Sequence, residues 1–140
     1  MKRYLFLFAF IFFLTGCQSS DIGDLKPPEP TITVDNQEIS YTMGTYSWSE
    51  NGKAVNADSA SPPELVEEVN EVSSGETISI DFDYEPTSIE IGIWANNGAD
   101  FKGLDSNQIV LPNEKGEFIY VIHASWAEGD GIYALSIRTK

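Results

Sequence analysis

Hydrophobic and polar residues alternate with a period of two along most of the chain. The alternating segments are 32–34, 78–82, 89–93 and 133–137, and segment 118–122 is apolar at every position. A period of two indicates strands that are buried on one face. A strand that is apolar on both faces is typical of the middle of a sheet, so we expect 118–122 to be a central strand.

Turn-forming residues separate these segments at short intervals. Asn51-Gly52 lies between Trp48 and Val55 and is a signature of a two-residue hairpin. Other turn signals stand at Gly75-Glu76, Asn97-Gly98, Glu114-Lys115-Gly116 and Gly129-Asp130-Gly131. Many short strands with regular turns are typical of an all-β sandwich or barrel.

One short helix is expected to interrupt the strands. The run Ser61-Pro62-Pro63-Glu64 combines a capping residue, a proline at the first helical position and a glutamate three residues after the cap. Leu65, Val66 and Val69 fit one helical face. We therefore expect one or two helical turns between strands.

The N-terminal segment is of a different kind. Lys2 and Arg3 are followed by an apolar run over residues 5–14, which is too short to cross a bilayer because a spanning helix needs about 20 apolar residues. The run ends in Leu14-Thr15-Gly16-Cys17, which resembles the bacterial lipobox. The resemblance implies a signal peptide over residues 1–16, cleavage between Gly16 and Cys17, and a lipidated Cys17 that carries S-diacylglycerol and an N-acyl chain such as palmitate.

This anchor sets the expected organisation and location. The alternatives are a secretory signal peptide with an incidental cysteine, or an uncleaved anchor. A diacylglyceryl group supplies the two chains that stable anchoring needs. We expect a lipid-anchored protein on the extracytoplasmic face of the cell membrane, with a disordered tether over 17–30 because that stretch is polar and proline-rich, and a β-sandwich domain over 31–140.

Composition restricts the partners. Cys17 is the only cysteine, so the domain forms no internal disulfide and no thiolate metal site. Cleavage removes two basic residues of eight, and 6 basic against 22 acidic residues give a formal charge of −16. Such a chain repels nucleic acids. Apart from the membrane, we expect a protein or small ligand that is neutral or cationic, no cofactor, and a monomer.

Short motifs in the body of the chain carry a second resemblance. They are Gly44-Thr45-Tyr46-Ser47-Trp48, Pro62-Pro63-Glu64-Leu65, Gly75-Glu76-Thr77-Ile78 and Gly131-Ile132-Tyr133-Ala134-Leu135. Over about residues 40–140 the chain resembles small lipoproteins and lipoprotein-like domains of Bacillus and relatives. The resemblance implies a low-GC Gram-positive source and an immunoglobulin-like antiparallel sandwich, and it supplies no catalytic residues. Many such domains carry a cysteine pair near the Tyr-Trp motif, and this chain does not.

Two groups of residues are weak candidates for chemistry. His123 is the only histidine, and a Ser–His–Asp site would need it with a serine such as Ser125 or Ser136. It lies within an apolar strand, so a structural role is the simpler interpretation. Asp81, Asp83 and Glu85 would share one strand face, but the calcium-loop glycine and distal glutamate are missing, so we expect a solvated face and no metal.

The three tryptophans are the remaining candidates. Trp126 continues the alternation of 118–122 and is expected to close the core. Trp94 falls on the Glu90 face of its strand, so an outward ring there, with Trp48 as a second candidate, would form a binding platform for a sugar or peptide. A bulge that turns Trp94 into the core is the alternative, which we favour because tryptophans are highly buried on average.

These observations favour a non-catalytic binding or adaptor module. An inhibitor of an extracellular peptidase on an immunoglobulin-like scaffold is the alternative, and an enzyme centred on His123 is the third hypothesis. The sequence names no ligand.

Overall fold

The computed structural model describes residues 25–140, and it resolves the alternating segments into strands. The elements are β1 (Thr31–Val34), β2 (Gln37–Glu38), β3 (Thr42–Glu50), β4 (Lys53–Ala57), α1 (Pro62–Leu65), β5 (Val69–Val72), β6 (Thr77–Asp81), β7 (Ser88–Ala95), β8 (Gly98–Ala99), β9 (Lys102–Gly103), β10 (Gln108–Val110), β11 (Gly116–Ser125) and β12 (Gly129–Thr139). The signal peptide, Cys17 and the first part of the tether lie outside the described residues.

The strands form two sheets. The small sheet has the order β10-β6-β1-β2, and the large sheet has the order β4-β3-β12-β11-β7-β8, with β5 added to β12 and β9 added to β7. Every pairing is antiparallel except that of β5 with β12. The expected all-β antiparallel sandwich with one short helix is confirmed, and the immunoglobulin-like assignment stays a prediction.

The core lies between the two sheets. Its most buried side chains, each at most 1% exposed, alternate along their strands and are Ile32, Ile78 and Ile80 in the small sheet and Ile122, Tyr133, Leu135 and Ile137 in the large sheet. This alternation is the reason why these segments form strands rather than helices. β11 pairs with both β12 and β7, which confirms that 118–122 belongs to a central strand.

The outward face of the large sheet is covered in part. A methyl group added to Gly44 would meet Leu65 of α1 at 3.2 Å, and one added to Gly92 would meet the carbonyl oxygen of Asp100 at 2.9 Å. Val121 on this face is only 2% exposed. The helix and the segment around Asp100 therefore form a second, smaller layer on β11, β12 and their neighbours.

Three two-residue hairpin turns use left-handed backbone conformations. Asn51-Gly52 joins β3 to β4 with φ values of 52° and 75°, which confirms the expected hairpin. The turn from β7 to β8 falls at Asn96-Asn97, one residue earlier than the Asn97-Gly98 signal. Asp35-Asn36 forms a third hairpin between β1 and β2 that the sequence analysis missed. Asn and Asp tolerate these φ values better than other non-glycine residues.

The helix is a single turn. The Glu64 carboxylate accepts hydrogen bonds from the Ser61 backbone N–H at 3.2 Å and from Ser61 Oγ at 2.6 Å, and these hydrogen bonds lower the pKa of Glu64. The chain becomes extended again at Val66. Val69, which the spacing placed on the helix, instead begins β5 because pairing with β12 takes over at that point.

The proline-rich segment before β1 packs on the sandwich. We call residues 25–30 the strap. Pro27 is fully buried beside Gly131, Leu25 packs against the core, and Tyr133 Oη donates a hydrogen bond to the Pro28 carbonyl oxygen at 2.5 Å. Within the described residues, the packed part of the chain therefore includes the strap as well as residues 31–140. Proline cannot donate to a β ladder, but its ring can fill the space beside one, a role that strand periodicity does not reveal.

Within residues 25–140, no helix has the length and apolar character that are needed to cross a membrane.

Candidate functional site

His123 lies on the outward face of the large sheet, between two carboxylates. Glu90 of β7 is directly opposite it, and Glu90 Oε2 lies 3.1 Å from Nδ1. Asp130 of β12 contacts the other side of the ring, with Oδ2 at 2.9 Å from Nε2. The Phe101 ring packs edge-on against the imidazole at a centroid distance of 6.1 Å. The histidine thus links three strands of the sheet and the segment after β8.

This geometry does not match a nucleophilic triad. A catalytic histidine needs one ring nitrogen directed at a serine hydroxyl. Both nitrogens of His123 contact carboxylates, and Ser136 is buried with its Oγ near Glu117. The contacts of the histidine are those of a structural bridge.

The acidic residues 81, 83 and 85 are not on one strand face, which corrects the sequence prediction. β6 ends at Asp81, whose Oδ1 accepts a hydrogen bond from Asn107. The chain then turns, because Phe82 enters the core and Trp126 Nε1 donates a hydrogen bond to the Tyr84 carbonyl oxygen. In the part of the chain that the structure describes, no group of three or more acidic, histidine or cysteine residues is arranged to hold a metal ion.

Two of the tryptophans belong to the core. Trp126 is 6% exposed, which confirms that it closes the core. Trp48 is 5% exposed and meets the Trp126 ring edge-on at a centroid distance of 5.6 Å. Trp48 therefore cannot contribute to a binding platform, because its alternation with Tyr46 directs both rings inward.

Trp94 takes an intermediate position. It pairs with Ala99 in the β7–β8 hairpin and is half-buried. It lies on the same outward face as Gly92 and is not part of the cluster between the sheets. The expectation that a bulge would turn it into that core is not met.

An apolar cleft opens at one side of the sandwich, and we call it the side groove. It has a volume of about 440 Å³ and opens between β7 of the large sheet and β10 of the small sheet. Its lining consists of Ile91, Gly92, Ile93, Asp100, Lys102, Ile109, Val110, Pro112 and Tyr120. Ile93 is 42% exposed and Val110 is 72% exposed, so two large aliphatic side chains stand at its mouth.

The side groove is open because the strands that border it are short or interrupted. β10 has three residues, and Pro112 follows it after the single residue Leu111. On the large sheet, β9 pairs with β7 at Ile91 and β8 pairs again at Trp94, so the ladder breaks between them. The backbone of Asp100 crosses over Gly92 there. The Asp100 carbonyl oxygen has room only because Gly92 has no side chain.

A few polar groups accompany the apolar lining. Tyr120 is 5% exposed at the floor of the side groove, and burial raises the pKa of its phenol, which stays protonated. Ile109 faces Ile78, and Leu111 N–H donates to the Glu76 carbonyl oxygen. Strand alternation therefore directs the N–H and C=O of Val110 away from β6. Apolar walls with few polar groups are typical of binding pockets.

Two other clefts have a polar character. One of about 250 Å³ lies beside Glu67 and Glu68. Near it, the Asn70 side chain of β5 makes hydrogen bonds with both the backbone N–H and the carbonyl oxygen of Ser40, which precedes β3. The second, of about 410 Å³, has a mixed lining in which acidic residues such as Glu38 and Glu71 alternate with aliphatic residues such as Val69. The side groove is the better candidate site because its lining is mainly hydrophobic.

Sequence reasoning did not find the side groove. Ile93 is the third isoleucine of an alternating run, and it was expected to be buried with the other two. Its exposure depends on the end of the facing sheet, which a strand pattern does not show. Pro112 directly after the short run 109–111 was a usable signal, because proline near a short strand marks a sheet edge.

Residues 1–18 match the prokaryotic membrane lipoprotein lipid attachment site. No curated protein and no solved structure matches the chain. The matched residues include the Leu14-Thr15-Gly16-Cys17 motif, so the chain is a prokaryotic lipoprotein that is anchored to a membrane.

Proposed function

We propose that this lipoprotein is a non-catalytic binding module that presents the side groove on the extracytoplasmic face of the membrane. The observation that carries the proposal is the exposure of Ile93 and Val110 at the mouth of an apolar groove. The chain is rich in acidic residues, and contiguous apolar surface on such a protein marks an interaction site.

The placement outside the cell follows from the anchor. A lipid on Cys17 leaves the domain on the outer side of the cytoplasmic membrane, and the resemblance to Bacillus-type lipoproteins supports a Gram-positive cell. The immunoglobulin-like architecture that this resemblance implies is common in cell-surface domains, which bind their ligands through loops or strand edges.

The absence of a catalytic role is argued from His123. Its ring nitrogens are engaged by Glu90 and Asp130, so the imidazole is not directed at a nucleophile or into the side groove. A binding role needs only the shape and the apolar surface of the groove.

The proposal is tested by site-specific crosslinking in cells that carry the lipidated chain. A photo-reactive residue is placed at Val110 in the side groove, and a matched chain carries it at the exposed Asn56 of β4. We expect a discrete crosslinked product from position 110 that is absent from position 56, and we expect Ile93→Ser to reduce it. Equal products from both positions, or none from position 110, would contradict the proposal.

A further inference from the structure

We propose that the ligand of the side groove is an extended, cationic segment of a peptide or protein. This inference rests on the proposed function, since it names the chemical class that the same groove takes. It is argued from the strand edge, the alternating apolar surface and the charge of the chain.

The strand edge favours an extended ligand. β10 is the terminal strand of the small sheet, and Val110 directs its N–H and C=O away from β6. An extended segment that lies along β10 can exchange two backbone hydrogen bonds with Val110. Addition of a strand to an exposed edge is a recurring mode of peptide recognition.

The apolar surface of the side groove can contact every second side chain of such an extended segment. Along a strand, successive side chains point to opposite faces, so one set faces the protein and the other faces water. Ile91, Ile93, Ile109 and Tyr120 line the face between the sheets, whereas Val110, which follows Ile109 on β10, points to the opposite face at the strand edge and is 72% exposed. A ligand with alternating aliphatic and polar residues therefore places its aliphatic side chains in the groove.

The net charge of the chain favours a ligand whose polar side chains are positively charged. Without the signal peptide, 6 basic residues face 22 acidic ones. Three of the basic residues are already paired with carboxylates, Lys26 with Glu29, and Arg138 and Lys140 with Glu71.

The surroundings of the groove contain both signs of charge. Asp100 and Lys102 both line it, and Glu114 and Lys115 are both exposed beyond Pro112, so these four local charges cancel. The selection therefore comes from the net charge of the whole chain, whose negative field attracts lysine and arginine side chains and repels acidic peptides, anionic headgroups and a second copy of this chain.

The test uses the full lipidated protein in an uncharged detergent and two fluorescent peptides. One peptide alternates valine and lysine, and the matched peptide has glutamine at each lysine position. Binding is followed by fluorescence anisotropy, with empty micelles as the blank. We expect the lysine peptide to bind more tightly, and we expect the difference to shrink as salt is added.

Substitutions locate the binding. Val110→Ser is expected to weaken binding of the lysine peptide about tenfold, because it removes about two methylene equivalents of apolar contact, and Ile93→Ser, which removes about three, is expected to weaken it more. Val69→Ser is the matched control, since Val69 is also an exposed strand valine, 40% exposed, but lies on β5 away from the groove. We expect no change in this variant.

The inference is overturned if the glutamine peptide binds as tightly as the lysine peptide, if neither peptide binds, or if Val69→Ser weakens binding as much as Val110→Ser. These outcomes are separate from a failure of the proposed function. A discrete crosslink at position 110 in cells combined with no preference for the lysine peptide leaves the binding module intact and removes only the cationic ligand. Loss of the crosslink removes both.

Discussion

The two sides of the sandwich differ in how far other parts of the chain cover them. On one side, the strap brings Pro27 over Gly131, and Tyr133 Oη fixes the Pro28 carbonyl. Edge-on aromatic contacts link Tyr41 with Tyr133, Phe82 with Tyr133 and Trp126, and Trp48 with Trp126. On the other side, no segment among the described residues covers Ile93 and Val110. We call these the closed side and the open side.

This difference distinguishes apolar residues that stabilise the fold from apolar residues that are available to bind a ligand. Both sides carry large hydrophobic residues, but those of the closed side have aromatic partners and a covering segment. Edge-on ring pairs contribute about 0.5–1.5 kcal/mol beyond the burial of their area. Substitutions on the closed side should therefore change stability, and substitutions on the open side should change binding.

The largest expected effect is that of Trp126→Ala on the closed side. The substitution removes the contacts with Trp48 and Phe82 and the hydrogen bond to the Tyr84 carbonyl oxygen. We expect the free energy of unfolding to fall by about 3–5 kcal/mol in urea titrations. Val110→Ala on the open side is the control, with an expected change within about 0.5 kcal/mol. Similar losses in the two variants would remove the distinction between the sides.

Gly92→Ala tests the break in the ladder on the open side. Its new methyl group would lie 2.9 Å from the Asp100 carbonyl oxygen, so the backbone at Asp100 must shift. We expect a loss of about 1–3 kcal/mol in the free energy of unfolding. Gly98→Ala in the same segment meets no atom within 4 Å and serves as the control. An unchanged stability of Gly92→Ala would show that Asp100 does not cross over it closely.

Tyr133→Phe tests the strap with a smaller change. It removes the hydroxyl that bonds the Pro28 carbonyl and leaves the ring packing in place. We expect a loss of about 1–2 kcal/mol, because the half-buried Pro28 carbonyl oxygen is left without its donor. Protease sensitivity of residues 25–30 should rise in the same variant. Tyr120→Phe, on the open side, should leave that sensitivity at the wild-type level.

The smallest expected effect is a dependence of stability on alkaline pH. Burial, and then the charges of Glu29 and Glu38, raise the pKa of Tyr41 to about 12, above its ordinary value of 10.0. Burial also raises the pKa of Tyr133. Because the folded state favours the protonated phenol, the stability from Tyr41 is complete below pH about 10 and is lost as pH rises toward about 12. Unfolding followed by circular dichroism should show a smaller alkaline loss in Tyr41→Phe. An equal loss in the two proteins would contradict the assignment.

The sequence predicted the sheet elements well because alternation is a local property. Segments 32–34, 78–82, 118–122 and 133–137 all lie in or reach strands, and the Ser61 cap begins the helix. The strap was missed because prolines carry no strand period, and their burial depends on Gly131 and Tyr133, about one hundred residues further along the chain.

The candidate site was the least predictable part, because it arises where two sheets end. Alternation alone leaves Trp48 as a candidate surface residue, and its burial depends on Trp126, which lies in the distant turn between β11 and β12. Ile93 was expected to be buried, and its exposure depends on the shortness of β10. Periodicity assigns a face to a side chain, but it does not show whether another element covers that face.

The most direct test of this account is a methyl NMR spectrum of the chain without its signal peptide and lipid, recorded with a soluble paramagnetic agent. The agent broadens methyl signals that solvent can reach. The account predicts strong broadening for Val110 and Ile93 on the open side, and protection for Ile32 and Ile137, which are 0% exposed. Protection of Val110 and Ile93 to the level of these core residues would contradict the claim that the sandwich keeps one side open for a ligand.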